Sequence, residues 1–325
     1  MMKVIYKKNG VTGERMESCV LKILAYFSVF DFPLSKDEVL RFLPPGSDQD
    51  SLDVALSHLI SGGSVFKTGE YYSLQNKEEW IKRKQEGYHR AEQLLPKAMK
   101  IGRFLCGFPY VRGIGISGGL SKMYAHENTD FDFFIIAKAN RLWIARTILH
   151  LYKKFTFLTG GQHYHCMNYF LDEKALKLKD QNIYTAVEAF TLIPVCGEGI
   201  QDFFVANGWI SEWLANYPVM MRAAQQPATR SWIKKMIERM LNNKLGNRFD
   251  NYLMKLTSRR WRKKQEKKKL NYEGKEMSLV TGKHFAWSNP DSFQQKIIGQ
   301  YNKKIAEMEN KWPKYFRPLS YSFEE

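Results

Sequence analysis

Apolar and polar positions along the chain alternate with two periods, and the changes between them mark out its elements. Val20 to Phe30 is a nearly continuous apolar run that reads as a buried helix, ended at Pro33 because the residue before a proline avoids helical geometry. A second helix is expected from Ser35, which stands at capping-box spacing from Glu38. Asp50 to Ser61 predicts a third, with Leu52, Leu56, Leu59 and Ile60 inward and Gly62 and Gly63 ending it. Val65 to Lys67 and Tyr71 to Leu74, joined across Thr68, Gly69 and Glu70, predict a hairpin. Three helices and a hairpin in this order look like a winged helix. The exposed positions of its third helix, Asp50, Asp53, Ser57 and His58, include no Lys or Arg, so a structural or protein-contact role is expected there rather than DNA reading.

A helical period then runs from Asn76 to Leu105, with Trp80, Ile81, Leu94, Leu95, Met99 and Ile101 as its buried stripe. Tyr110 to Ile116 and Phe131 to Ile136 predict strands, Arg141 to Leu158 a covering helix, and Tyr164 to Leu171 a further strand. Tyr184 to Leu192 reads as a helix that Thr185 can cap and that Pro194 and Gly197 stop. Beyond it, Asp202 to Tyr217 and Ser231 to Leu256 are expected to be helices, the second with Trp232, Met236, Met240, Leu241, Leu245, Tyr252 and Leu256 along one face. A last helix, Asp291 to Asn310, leads into an aromatic segment from Trp312 to Pro318 that is expected to dock back. The expected organisation is therefore a winged-helix-like domain over 1–75, a connecting helix over 76–107, an α+β domain with a mixed sheet and flanking helices over 108–198, and a helical basic region over 199–325.

The candidate chemistry lies in the third of these. Gly118 and Gly119 follow a strand and are separated by ten residues from Asp130, Phe131, Asp132 and Phe133, which open the next. Side chains alternate in a strand, so Asp130 and Asp132 project to one side, suited to a divalent cation, while Phe131 and Phe133 point into a core. The glycines let the main chain approach a bulky anion closely. From Phe108 to Ile193 this pattern resembles the polymerase β-like nucleotidyltransferase superfamily, and within it the minimal nucleotidyltransferases, in which a small and a basic residue follow the Gly pair as Ser121 and Lys122 do here. The resemblance implies Mg2+ or Mn2+ on Asp130 and Asp132, and a nucleoside triphosphate such as ATP positioned by Gly118, Gly119, Ser121 and Lys122. It also implies attack by an acceptor hydroxyl on the α-phosphate. Two positions depart from the family pattern. Ser117 precedes the Gly pair where an apolar residue is usual, and Asn168 stands where a third catalytic carboxylate is expected. Asparagine can offer a carbonyl to a metal but cannot take a proton, so Asp172 or Glu188 would have to supply the base. The alternative to a working transferase is a catalytically inactive nucleotide-binding or nucleic-acid-binding regulatory protein.

The net charge of +17 points to an anionic partner. Most of the excess is concentrated between Thr229 and Leu270, which holds fifteen Lys or Arg against three Asp or Glu. The run from Arg259 to Lys269 reads either as a solvated helix end or as a contact for RNA or DNA phosphates, with Trp261 available to stack. Cys19, Cys106, Cys166 and Cys196 are scattered without metal-ligand spacing, and free buried thiols are expected. His126 reads as a solvated loop residue, and His163 and His165 as packing residues. No signal-like or membrane-spanning apolar run is found, so a cytoplasmic protein with no membrane partner is expected.

Overall fold

The computed structural model describes residues 15–156, 164–214, 232–267, 277–290 and 293–316. Its first elements are α1 (Met16–Ser28), β1 (Leu34–Ser35), α2 (Lys36–Phe42), α3 (Gln49–Ser61), β2 (Phe66–Thr68) and β3 (Tyr71–Ser73). The capping box of α2 forms in both directions, with Ser35 N donating to Glu38 Oε2 at 2.8 Å and Glu38 N donating to Ser35 Oγ at 3.3 Å. Strand β3 pairs antiparallel with both β1 and β2. Leu52, Leu56 and Leu59 of α3 are buried as expected, whereas Ile60 is exposed, because one further residue turns the side chain by about 100° from the direction of Leu59.

The long helix α4 (Glu78–Cys106) leads to a six-stranded mixed sheet built from β4 (Val111–Ser117), β5 (Asp132–Ala137), β6 (Cys166–Asp172), β7 (Ile193–Cys196), β8 (Met277–Thr281) and β9 (Phe285–Pro290). The order across the sheet is β7-β4-β5-β6-β9-β8. Only β5 and β6 are parallel, and α5 (Leu142–Thr156) makes the crossover that a parallel pair requires. Both faces are covered. Phe133, Ile135 and Ala137 of β5 point into an apolar cluster with α4 and α5, while Phe134 and Ile136 point into a second one. That second cluster contains α6 (Ile183–Phe190), α7 (Glu198–Ala206) and the N-terminal helices. Asn182 caps α6 reciprocally with Thr185, which is the third residue of the box rather than the cap itself.

Several expectations are corrected. In α4 Trp80 is buried and Leu94, Leu95, Met99 and Ile101 pack partly buried against the core as expected, but the most buried positions also include the small residues Gly87, Ala91, Ala98 and Gly102, which let neighbours pass close; a Cβ on Gly102 would lie 2.9 Å from Val195 Cγ1. Cys106 and Cys196 are not free thiols but form a disulfide joining the end of α4 to β7. The region after 199 is not wholly helical, since β8 and β9 extend the sheet beyond β6. The helix expected from Ser231 to Leu256 is two, α8 (Trp232–Leu241) and α9 (Lys244–Glu266), the second capped by Asn243, whose side chain accepts from Gly246 N at 3.0 Å. Of the apolar residues expected along one face, Trp232, Met236, Met240, Leu245 and Tyr252 are exposed, with Trp232 71% and Met240 66% exposed, whereas Leu241 packs partly buried against the cluster of α4 and α5. Finally, α10 (Phe293–Lys311) and α11 (Pro313–Phe316) dock back as expected, burying Ile297, Met308 and Tyr315 in the cluster of the N-terminal helices.

Candidate functional site

Strand β4 brings Ser117 opposite Asp132 at the start of β5, and the chain then bends at Gly118, where φ is +71°. That left-handed conformation favours glycine. A second reason is spatial: a Cβ on Gly118 would lie 2.5 Å from Asp132 Oδ2, so the bare backbone is what allows the carboxylate to rest against the bend. Gly119 is exposed and begins a short 3-10 turn over Leu120–Lys122. Ser121, expected to face phosphates, is buried and donates from its hydroxyl to Gly118 O at 2.8 Å, closing the turn. Lys122 Nζ donates to the same carbonyl at 3.2 Å and pairs with Glu188 Oε1 of α6 at 2.9 Å.

Asp130 lies two residues ahead of Asp132, just before β5 begins, with Phe131 between them fully buried and both acids half-buried. Burial pushes the Asp132 carboxyl up to about 7, and the neighbouring Asp130 charge and Glu188 push in the same direction. Protein atoms crowd the carboxyl even though the residue keeps some exposure. Asp130 and Asp132 lie close enough for the charge of the first to act on the second, and two carboxylates supply the oxygen donors that a hard divalent cation such as Mg2+ or Mn2+ prefers.

A register shift between β5 and β6, from Asp132 opposite Cys166 to Phe134 opposite Tyr169, places Asn168 beside Asp132. Its Nδ2 donates to Asp132 Oδ1 at 3.4 Å and to Cys166 Sγ at 3.0 Å, and its Oδ1 accepts from Ser288 Oγ of β9 at 3.5 Å. The amide nitrogen rather than the carbonyl thus faces the acids. Burial raises the Cys166 thiol to about 12, which leaves it neutral. Asp172 is ruled out as the third carboxylate. It lies at the opposite end of β6, fully buried, where Oδ2 accepts from Asn140 N at 2.9 Å and meets His284 Nδ1 at 2.8 Å. Glu188 does reach the site, as the partner of Lys122. Among the described residues no three His, Cys, Asp or Glu side chains form a metal-holding group.

The sequence reading missed three neighbours. Thr191 Oγ1 lies 3.5 Å from Ser121 Oγ, Ser288 holds Asn168, and burial followed by the Glu188 charge raises the Tyr184 hydroxyl above its usual range. The signal that could have found the Tyr184 contact is that Glu188 is the sole charge in α6. On the same face of the sheet as Asp132, Phe134, Tyr169 and Trp287 stack across three strands with centroids 5.1 and 5.3 Å apart.

Elsewhere, His126 is exposed and His165 is buried against the Tyr152 hydroxyl at 3.3 Å, both as expected, while His163 lies outside the described residues. The basic run follows the exposed end of α9 as far as Lys267, with Lys268 and Lys269 outside the described residues. Trp261 is half-buried, with the Arg146 guanidinium over its ring at 4.6 Å. Among the described residues no helix is long and apolar enough to cross a membrane. In comparisons with protein-family models, curated proteins and solved structures, no match was found.

Proposed function

We propose that this chain is a nucleotidyltransferase-like protein that takes a nucleoside monophosphate from ATP or another nucleoside triphosphate, with a winged-helix-like module at its N-terminus. The observation that supports the reading is the close approach of the Gly118 bend to the Asp132 carboxylate, with Asp130 two residues ahead: a turn suited to an anion near two acids suited to a cation. Asp130 and Asp132 would hold Mg2+ or Mn2+, whose positive charge stabilises the phosphates during transfer. Gly118 and Gly119 would admit the triphosphate to the main chain. Lys122 would turn from Glu188 to it, and Ser121 would keep the turn shaped. In the reaction an acceptor oxygen bonds to the α-phosphorus, the bond from that phosphorus to the bridging oxygen breaks, and pyrophosphate leaves with the electron pair. The acceptor proton passes to a base or to solvent.

Titration of the full chain with ATP, with and without Mg2+, tests this. Metal-dependent binding is expected in the wild type and is expected to disappear in Asp130→Asn, Asp132→Asn. Absence of triphosphate binding in the wild type would refute the proposal.

A second reading, nucleotide binding without transfer, is favoured by one observation: Asn168 offers its amide nitrogen to Asp132 where a proton acceptor is needed. It predicts Mg2+-dependent ATP binding with no pyrophosphate released for any acceptor. Pyrophosphate release separates the two.

A further inference from the structure

Helices α8 and α9 are held from one side and bare on the other. On the inner side Lys234 Nζ donates to Cys106 O and Val111 O, both at 2.9 Å, and Glu238 pairs with Arg112 at 2.8 Å. Arg141 donates to Leu241 O at 3.1 Å, and Asp250 accepts from Ile144 N at 2.9 Å. These contacts fix the orientation of both helices, so their outer faces are set by the fold. Along those faces run Trp232, Met236 and Met240 at four-residue spacing, then Leu245, Phe249 and Tyr252 at spacings of four and three, all exposed. Large apolar side chains exposed along two successive helices mark an interaction site.

The charge around the row says what it meets. Between Trp232 and Lys267 there are twelve Lys or Arg against three Asp or Glu. Two of those acids, Glu238 and Asp250, are committed to the inner contacts, leaving Glu266 as the outward acid of the described stretch. An apolar row with Trp and Tyr, bordered by cations and almost without anions, is the composition of a helix lying in the plane of an anionic bilayer. Nucleic acid would account for the cations but not for exposed Met, Leu and Trp, and Trp261, the aromatic within the basic run, is half-buried with the Arg146 guanidinium over its ring.

We infer that the outer face of α8 and α9 docks the protein on anionic phospholipid, the apolar row entering the headgroup boundary and the Arg259–Lys267 cations meeting lipid phosphates. The chain would lie on a membrane without crossing it.

Co-sedimentation of the full chain with vesicles tests this. The wild type is expected to bind vesicles of equal parts phosphatidylcholine and phosphatidylglycerol at least ~10-fold more tightly than pure phosphatidylcholine, with binding weakened by salt. Trp232→Ser, Met236→Ser, Met240→Ser is expected to weaken binding by roughly tenfold or more with an unchanged melting curve. Arg259→Gln, Arg260→Gln, Arg262→Gln, Lys263→Gln is expected to remove the preference for the anionic vesicles, an outcome readable even if the first variant folds poorly. The inference is overturned if the wild type binds neither vesicle or if both variants bind as the wild type does. It also falls if light scattering shows a dimer that the apolar variant converts to monomer, since a second copy then covers this face. An RNA oligonucleotide held more tightly than the vesicles through the same apolar side chains would likewise overturn it.

Discussion

At Gly118 a side chain would be strained twice, by the φ of +71° and by the Asp132 carboxylate. Gly63 separates these effects, because it has φ +65° and nothing within 4 Å of where a Cβ would stand. Gly63→Ala is therefore expected to cost only the left-handed backbone penalty of about 1–2 kcal/mol. Gly118→Ala should cost more, lower the melting temperature further, and weaken Mg2+-dependent ATP binding at least ~10-fold by displacing Asp132. Equal melting temperatures and unchanged ATP affinity would show that the bend does not position the carboxylate. A second residue-scale expectation concerns Lys122, which Glu188 restrains at 2.9 Å. Removing that competing charge with Glu188→Gln should free the ammonium and tighten ATP by roughly two- to fivefold, the range of a half-exposed ion pair, as measured by titration calorimetry. The glycine pair and the two aspartates were legible in the sequence because their spacing is local. The commitment of Lys122 to Glu188 was not, because it depends on where α6 is placed by the packing of the sheet.

At the scale of elements, α8 shows why periodicity alone misplaces a face. Hydrophobicity alone could turn Trp232, Met236 and Met240 inward, but Ile237 and Leu241 are the residues that pack against the core. Specific polar contacts hold that orientation. Lys234, buried, satisfies the carbonyls of Cys106 and Val111, and Glu238 satisfies Arg112 and the Tyr110 N–H at 2.7 Å. The small-residue stripe of α4 and the disulfide between distant cysteines were illegible for a related reason, since each reflects a neighbour brought close by the fold. Strands β8 and β9 did carry a local signal, Leu279, Val280 and Thr281 before a turn at Gly282, but the surrounding basic helical sequence obscured it. Lys234 makes the orientation of α8 testable. Burial first, and then Arg112, lowers its ammonium from the usual lysine range to about 8. Between about pH 8 and the unfolded lysine value near 10.4 the unfolded chain binds this proton and the folded chain does not, so this group makes stability rise with pH across that window. Lys234→Met should lose that rise and, by leaving two carbonyls without a donor, destabilise the protein by about 1–3 kcal/mol at neutral pH. Urea unfolding of both proteins across the window measures it; parallel curves would mean that Lys234 is not buried and α8 not anchored as described.

On the scale of the whole molecule, one apolar cluster joins parts of the chain that the sequence pattern separates. It takes in Leu21, Leu24 and Phe27 from α1, Phe134 and Ile136 from the sheet, Phe190 from α6, and Ile297, Met308 and Tyr315 from the last helices. The Tyr315 hydroxyl donates to His58 O of α3 at 3.3 Å, so the end of the described chain is held by its beginning. The N-terminal helices therefore derive part of their burial from residues that follow the whole sheet, and their stability should depend on them. Each of Ile297, Met308 and Tyr315, fully removed from water, contributes roughly 1.5–3 kcal/mol on transfer. Losing all three amounts to several kcal/mol, a large share of the 5–15 kcal/mol typical of a folded protein. A chain ending before Phe293 is accordingly expected to melt on the order of 10 °C lower than the full chain, and Tyr315→Ala alone to melt by a smaller amount in the same direction. Because the cluster is shared, circular dichroism of the full chain and near-ultraviolet aromatic signals should report one coincident transition. Two separate transitions in the full chain, with only the earlier one moved by the truncation, would show instead that the N-terminal helices and the sheet keep independent cores.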